Sequence, residues 1–238
     1  MSAAASSFAT LTKAQPKGAA PMTHIVLLGD SVLDNAGYLR GDSPDVVEQL
    51  RRRVPGGWRA TLAARGGAVA TDVRGQLDRL PPDASHLIIS AGGNDAGRRE
   101  GVLGEAVRSV AEGLGRIAAI REGFAREYKE MLDVAVRRGL PVALCTIYDP
   151  RFPDPIRRQV TAVALAAFND IITREAFTRG LAVIDLRLIC NQDADFASPT
   201  GPSVQGGGKI AAAISQWAAG HDPGQHRSVV FASGGGSG

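Results

Sequence analysis

The sequence has little of several things. Among its 238 residues are two cysteines and four histidines, and aromatic residues make up only 5%. Neither Cys145 nor Cys190 has a CxxC or CxxH partner, which excludes a disulfide framework and a structural zinc site of the usual spacing. Cys145 lies in the apolar run PVALCTIY and reads as a small core residue. A reducing compartment suits such cysteines, and a cytoplasmic location is the expectation. No apolar run approaches the roughly 18 residues of a membrane span, so no membrane partner is expected. No GxGxxG follows the first strand-like run, so the dinucleotide fingerprint is missing. Charge of one sign is also scarce. Lys13 and Lys17 supply two of the net +3 charges, leaving +1 for the rest. No basic stripe with interleaved aromatics appears, which argues against a nucleic-acid surface. Arg51-Arg52-Arg53 closes a helical pattern, where cations favour the helix C-terminus.

What is present is an ordinary globular composition, with 44% hydrophobic and 21% charged residues. Residues 1–21 are rich in Ala, Ser and Thr, hold no acid, and lack the apolar segment of a secretory signal. They read as a leader, tag or transit segment, with Met22 a candidate natural start. Residues 223–238 end in SGGGSG and read as a flexible tail of linker composition. The expected single domain is 22–222.

Within it, strand-like and helix-like segments alternate. Strand candidates are 24–30, 58–64, 86–92, 141–147 and 181–186, several of them continuous Val/Ile/Leu runs. Such runs suit parallel strands covered on both faces. Helical patterns fall at 43–53, 71–79, 102–138, 155–179 and 206–219. Asp42 or Ser43 is the expected cap of the first helix, with Pro44 in its first turn. Gly139 and Gly180 follow helical patterns as C-terminal caps. The alternation predicts an α/β fold: a three-layer αβα sandwich on a flavodoxin-like, mainly parallel five-stranded sheet. In such sheets ligands bind beyond the carboxyl ends of the strands.

Those ends carry unusual residues. Gly29-Asp30-Ser31 follows the first strand, and Arg65-Gly66-Gly67-Ala68 the second. Gly92-Gly93-Asn94-Asp95 follows the third, and Tyr148-Asp149-Pro150 the fourth. Taken singly, each has a plain reading. Gly29-Asp30-Ser31 could be a helix start, Gly92–Asp95 a turn, and 66–72 a glycine-rich anion cradle before a helix.

Taken together and in order, GDS at 29–31, GGAVATD at 66–72, GGND at 92–95 and PSVQGGGKIA at 202–211 resemble the SGNH/GDSL hydrolase family over about residues 22–220. The resemblance implies a cofactor-free, metal-free esterase or acylhydrolase acting on a small-molecule ester. Ser31 would be the nucleophile, and its backbone N–H, Gly67 and Asn94 the oxyanion hole. Asp30 and Asp95 would be supporting residues. These residue types suit the chemistry. A serine hydroxyl needs a base to take its proton, and a developing oxyanion needs donors fixed in advance.

The pattern breaks at its end. The family's late Asp-x-x-His aligns with Ser198 and Gly201, so neither member of the dyad is present. His24 and His86 begin strands at the wrong end of the sheet, His221 follows the last helix, and His226 is in the tail. Asp193 and Asp195 are the nearest acids. A carboxylate can act as base if burial raises its pKa. Three readings remain. The chain is a hydrolase with a carboxylate or atypical base, a hydrolase-fold protein that binds an acyl or sugar ligand without efficient turnover, or an unrelated phosphate-binding module at 66–72. Loops 32–42, 96–104 and 148–158 mix polar and small residues, which suits a small or polar acyl group.

Overall fold

A computed structural model describes residues 22–221 and 229–231. The expected leader 1–21 lies outside the described residues, as does the expected tail except for 229–231. The chain runs β1 (His24–Gly29), α1 (Val46–Arg53), β2 (Arg59–Leu62), α2 (Val73–Leu77), β3 (His86–Ser90), α3 (Gly93–Gly97), α4 (Val110–Val136), β4 (Val142–Cys145), α5 (Pro155–Thr178), β5 (Ala182–Ile184), α6 (Leu186–Ile189), β6 (Phe196–Ser198), β7 (Gly201–Pro202), α7 (Val204–Gly220) and β8 (Val230–Phe231).

The five expected strands form a parallel sheet in the order β2-β1-β3-β4-β5. A short sixth strand, β8, adds to the β5 edge, pairing Val183 with Val230 and Ile184 with Phe231. The tail composition concealed it. In β1, alternate side chains go to opposite faces, as the period-two pleat requires. Ile25 and Leu27 join Val46, Leu50, Ile210, Ile214 and Trp217 beneath α1 and α7. Val26 and Leu28 join Val73, Leu77, Phe124, Tyr128, Phe168 and Ile172 beneath α2, α4 and α5. Each large apolar side chain so buried contributes about 1.5–3 kcal/mol. Two full apolar faces explain why β1 carries no polar alternation.

Helix boundaries move with their caps. The first helix starts at Val46, because the Asp45 carboxylate accepts the Glu48 N–H at 2.8 Å; Asp42 and Ser43 lie upstream. The long pattern from 102 divides into a 3-10 turn at Glu100–Gly104 and α4, which the Ser109 hydroxyl caps through the Glu112 N–H. Gly139 and Gly180 take positive φ angles of 69° and 66° just past their helices, as expected.

The chain leaves β1 toward β2 on one side and then returns to β3 on the other. That reversal opens a crevice between the carboxyl ends of β1 and β3, the place where open α/β sheets take ligands.

Candidate active site

Gly29-Asp30-Ser31 and Gly92–Asp95 flank this crevice. At its floor the Asp30 N–H donates to the Ser90 carbonyl at 3.0 Å, joining the two strand ends. The Gln76 side chain holds both backbone groups of Gly29, accepting its N–H at 2.7 Å and donating to its carbonyl at 2.9 Å. The Asp30 carboxylate is buried and accepts the Val32 N–H at 3.1 Å and the Ser90 hydroxyl at 3.0 Å. Burial pushes its pKa up to about 7, against the opposing pull of those hydrogen bonds. Asp30 is thus a buried clamp on the first turn after β1, and Ser31 sits on that turn, half-buried.

The second block is tied in from both sides. Asp34 accepts the Gly66 N–H at 2.9 Å, and Arg98 donates to the Gly67 carbonyl at 3.2 Å. Gly67 takes φ +80° in open space, a conformation that glycine adopts without the strain of a Cβ. The peptides on either side of the Gly67 N–H are therefore held. That N–H has no acceptor among the described residues, and neither has the N–H of Ser31. Asn94 donates one amide hydrogen to the Ala68 carbonyl at 2.9 Å, which leaves its second for a ligand. Asp95 does not cap α3. Its buried carboxylate instead accepts the Ala70 N–H from both oxygens, at 3.1 and 3.3 Å, and burial raises its pKa. It fastens the 66–72 block to the 92–95 block.

A cavity of about 260 Å³ opens beside Ser31 and Asn94. All three expected loops contribute to it, through Val32 and Tyr38, through Ala96, Val102 and Leu103, and through Tyr148, Pro150 and Phe152. One wall was not foreseen. Ile117 and Ile120 of α4 and Leu165 and Phe168 of α5 make it largely apolar. The expectation of a small or polar acyl group drew on the loops alone and missed these helix faces.

The candidate bases Asp193 and Asp195 do not line this cavity. The Asp195 carboxylate is buried and accepts from Lys209 at 2.8 Å, Gln205 at 2.9 Å and the Gln192 N–H at 3.0 Å. Desolvation works to raise its pKa, but these partners outweigh it and the net shift is downward. That is the reverse of what a carboxylate base needs. Asp193 is exposed, and its carboxylate lies 3.3 Å from Arg151. Both acids hold the loop before α7. Among the described residues, His24 and His86 lie at the far end of the sheet, as expected, and His221 lies beside His86. His24 bonds Asp83 at 3.1 Å and Thr61 at 2.7 Å, while His86 and His221 stack edge to face at 5.9 Å beside Trp217. His226 lies outside the described residues.

The loop carrying Ser198 and Gly201 remains next to the site. Those two residues pair across the β6–β7 hairpin. Arg151 N–H donates to the Pro199 carbonyl at 2.8 Å, Tyr148 Oη to the Thr200 carbonyl at 2.6 Å, and Asn35 Nδ2 to the Pro202 carbonyl at 3.3 Å. What occupies the space in front of Gly201 is Tyr38. A Cβ at 201 would lie 2.6 Å from both Cδ1 and Cδ2 of the Tyr38 ring. The Tyr38 hydroxyl donates to Ser31 Oγ at 3.0 Å. Sequence reasoning missed Tyr38, Asn35, Gln76 and Arg98. The one available signal for Tyr38 was a glycine at the histidine position combined with an aromatic residue in the loop after Ser31.

The model of the GDSL-like lipase/acylhydrolase family matches residues 27–206. No curated protein sequence matches the chain. Among solved structures, an extracellular lipase from Streptomyces rimosus is similar with a TM-score of 0.60 and 18% identity, over 79% of this chain and 95% of that one. A lipase from a goat rumen metagenome aligns with a TM-score of 0.64 and 18% identity, over 84% and 98% of the two chains. A phospholipase A1 from Streptomyces albidoflavus aligns at 0.56 and 20%, over 82% and 99%.

Proposed function

The chain belongs to the GDSL-like lipase/acylhydrolase family, and from that premise we propose that it is a serine hydrolase that transfers the acyl group of an ester to Ser31 and then to water. One observation carries the reading. Ser31 and Asn94 line one cavity at the crevice between β1 and β3, and three donors of the blocks tied together there have no acceptor among the described residues: the Ser31 N–H, the Gly67 N–H and the second amide hydrogen of Asn94. Three such donors would stabilise the oxyanion of a tetrahedral intermediate, and each is typically worth about 10²–10³ in rate. The apolar wall of Ile117, Ile120, Leu165 and Phe168 supports an acyl chain longer than acetyl as the group bound. Gain of affinity with each buried methylene, about 0.8 kcal/mol, would express that preference.

The test is a series of nitrophenyl esters from acetyl to decanoyl, with wild type and Ser31→Ala, alongside labelling by a fluorophosphonate. The expected result is hydrolysis and labelling in wild type only, with kcat/KM rising beyond acetyl. Equal rates in the alanine variant would remove the catalytic reading. A second reading, ligand binding without turnover, draws on the absence of histidine beside Ser31 among the described residues. It would be favoured if wild type took no label yet bound the longer esters.

A further inference from the structure

Three observations meet at one point. The position that should carry a general base is Gly201. The loop bearing it has not drifted, since hydrogen bonds at Pro199, Thr200 and Pro202 hold it beside the site. The space its side chain would fill is taken by the ring of Tyr38, whose hydroxyl ends 3.0 Å from Ser31 Oγ. That is the separation a base requires from the proton it takes. From this juxtaposition we infer that Tyr38 is a catalytic residue, a tyrosine that performs at Ser31 the proton transfers a histidine at 201 would perform. The inference rests on the serine hydrolase reading above.

The packing supports a built arrangement. Tyr38 comes from the 3-10 turn Ala36–Tyr38, seven residues after Ser31. Just before that turn, the fully buried Asn35 accepts the Val46 N–H at 2.9 Å and donates to the Pro202 carbonyl. One side chain thus joins the Tyr38 turn, the start of α1 and the Gly201 loop. Glycine at 201 is what lets the ring stand there, because any Cβ would intrude on it.

The steps balance without a further reactant. The Tyr38 phenolate takes the Ser31 proton as Oγ bonds to the ester carbonyl carbon, and the carbonyl π electrons move to the oxygen. As the intermediate collapses, the C–O bond to the alcohol breaks and the Tyr38 hydroxyl gives its proton to that oxygen. Water then attacks the acyl–Ser31 ester while the phenolate takes a water proton. When that second intermediate collapses, the Tyr38 proton passes to Ser31 Oγ, and the acid leaves. In the resting pair the phenol is protonated and donates to Ser31, so the reactive form is the deprotonated one. The other titratable groups on the cavity wall are Asp30, Tyr148, Arg99 and Glu100.

The decisive variant is Tyr38→Phe, which keeps the ring against Gly201 and removes only the oxygen. In wild type the rate of fluorophosphonate labelling at Ser31, and kcat/KM for a nitrophenyl ester, should rise with pH, since the reactive form is the deprotonated one. Tyr38→Phe should lower both by about 10²-fold or more, since general-base assistance contributes about 10²–10⁴, with an unchanged melting temperature. Tyr38→Gly should open the space before Gly201, and added imidazole should restore part of its rate. If wild type labels at Ser31 and Tyr38→Phe labels as fast or faster, Tyr38 is a bystander or an obstruction. The inference then falls while the hydrolase reading stands. If wild type takes no label at any pH, both fall together.

Discussion

The ring of Tyr38 and the backbone of Gly201 occupy each other's missing space. A Cβ at 201 would meet both Cδ carbons of the ring at 2.6 Å, and the ring carries a hydroxyl to Ser31. Where the family's sequence pattern has a histidine reaching in from the late loop, this chain has a tyrosine reaching across from the early one.

Gly201→Ala should therefore damage activity out of proportion to its size. The methyl group must push the Tyr38 ring, and the 3.0 Å contact with Ser31 lengthens. We expect a loss of about 10-fold or more in kcat/KM, on the scale attached to small misplacements of reacting groups. Wild-type kinetics from a folded Gly201→Ala variant would count against the mutual exclusion. A histidine placed at 201 should recover function only when Tyr38→Gly clears the way, and better still with Ser198→Asp across the hairpin.

Asn94→Ala removes the side-chain donor while leaving the Ser31 and Gly67 N–H groups. Turnover should fall by about 10²–10³ with little change in KM, because a donor of this kind acts chiefly in the transition state. Steady-state kinetics on one nitrophenyl ester decide it. A change confined to KM would place Asn94 in ground-state binding.

Ala164 lines the cavity wall between Thr161 and Leu165. Ala164→Phe should fill space beside the apolar wall, so esters of longer acids lose kcat/KM by about 10-fold or more while the acetyl ester is spared. A uniform loss across the series would mean that the acyl chain lies elsewhere.

Asp30 gives a pH signature. Its pKa is raised from 3.8 to about 7 by burial, so folding takes up a proton. The stabilisation is complete below the unfolded value and is lost as pH rises through about 4 to 7. About three pKa units correspond to on the order of 4 kcal/mol. Asp30→Asn keeps an oxygen for Val32 and Ser90 without the titration, so its melting temperature should fall less between pH 5 and 8 than that of wild type. Parallel curves would show that Asp30 is already ionised.

Asp195→Ala separates structure from catalysis. It strands Lys209, Gln205 and the Gln192 N–H, and should cost about 1–3 kcal/mol of stability. Residual folded protein should keep its kcat. Loss of kcat with unchanged stability would return Asp195 to the site as a base.

Much of this molecule is set by local patterns that the sequence displays openly. Continuous apolar strands such as Ile25–Leu28 read as buried parallel strands because both faces are covered, and the observed core divides them by alternation. Ser31, Gly67 and Asn94 read as a group because each follows a strand, and parallel strands of one sheet end on the same side. Tertiary structure alone decided the rest. Whether a buried acid is a base depends on its partners, and Lys209, fourteen residues from Asp195, together with Gln192 and Gln205 reverses what burial alone would do. Whether a pocket is apolar depends on which faces of α4 and α5 meet over it. The group that reaches Ser31 is decided by which side chain fills the gap at Gly201, and that contact joins residues 163 positions apart in the chain. Periodicity and spacing carry no signal for such a contact, because it is created only when the two loops pack against each other.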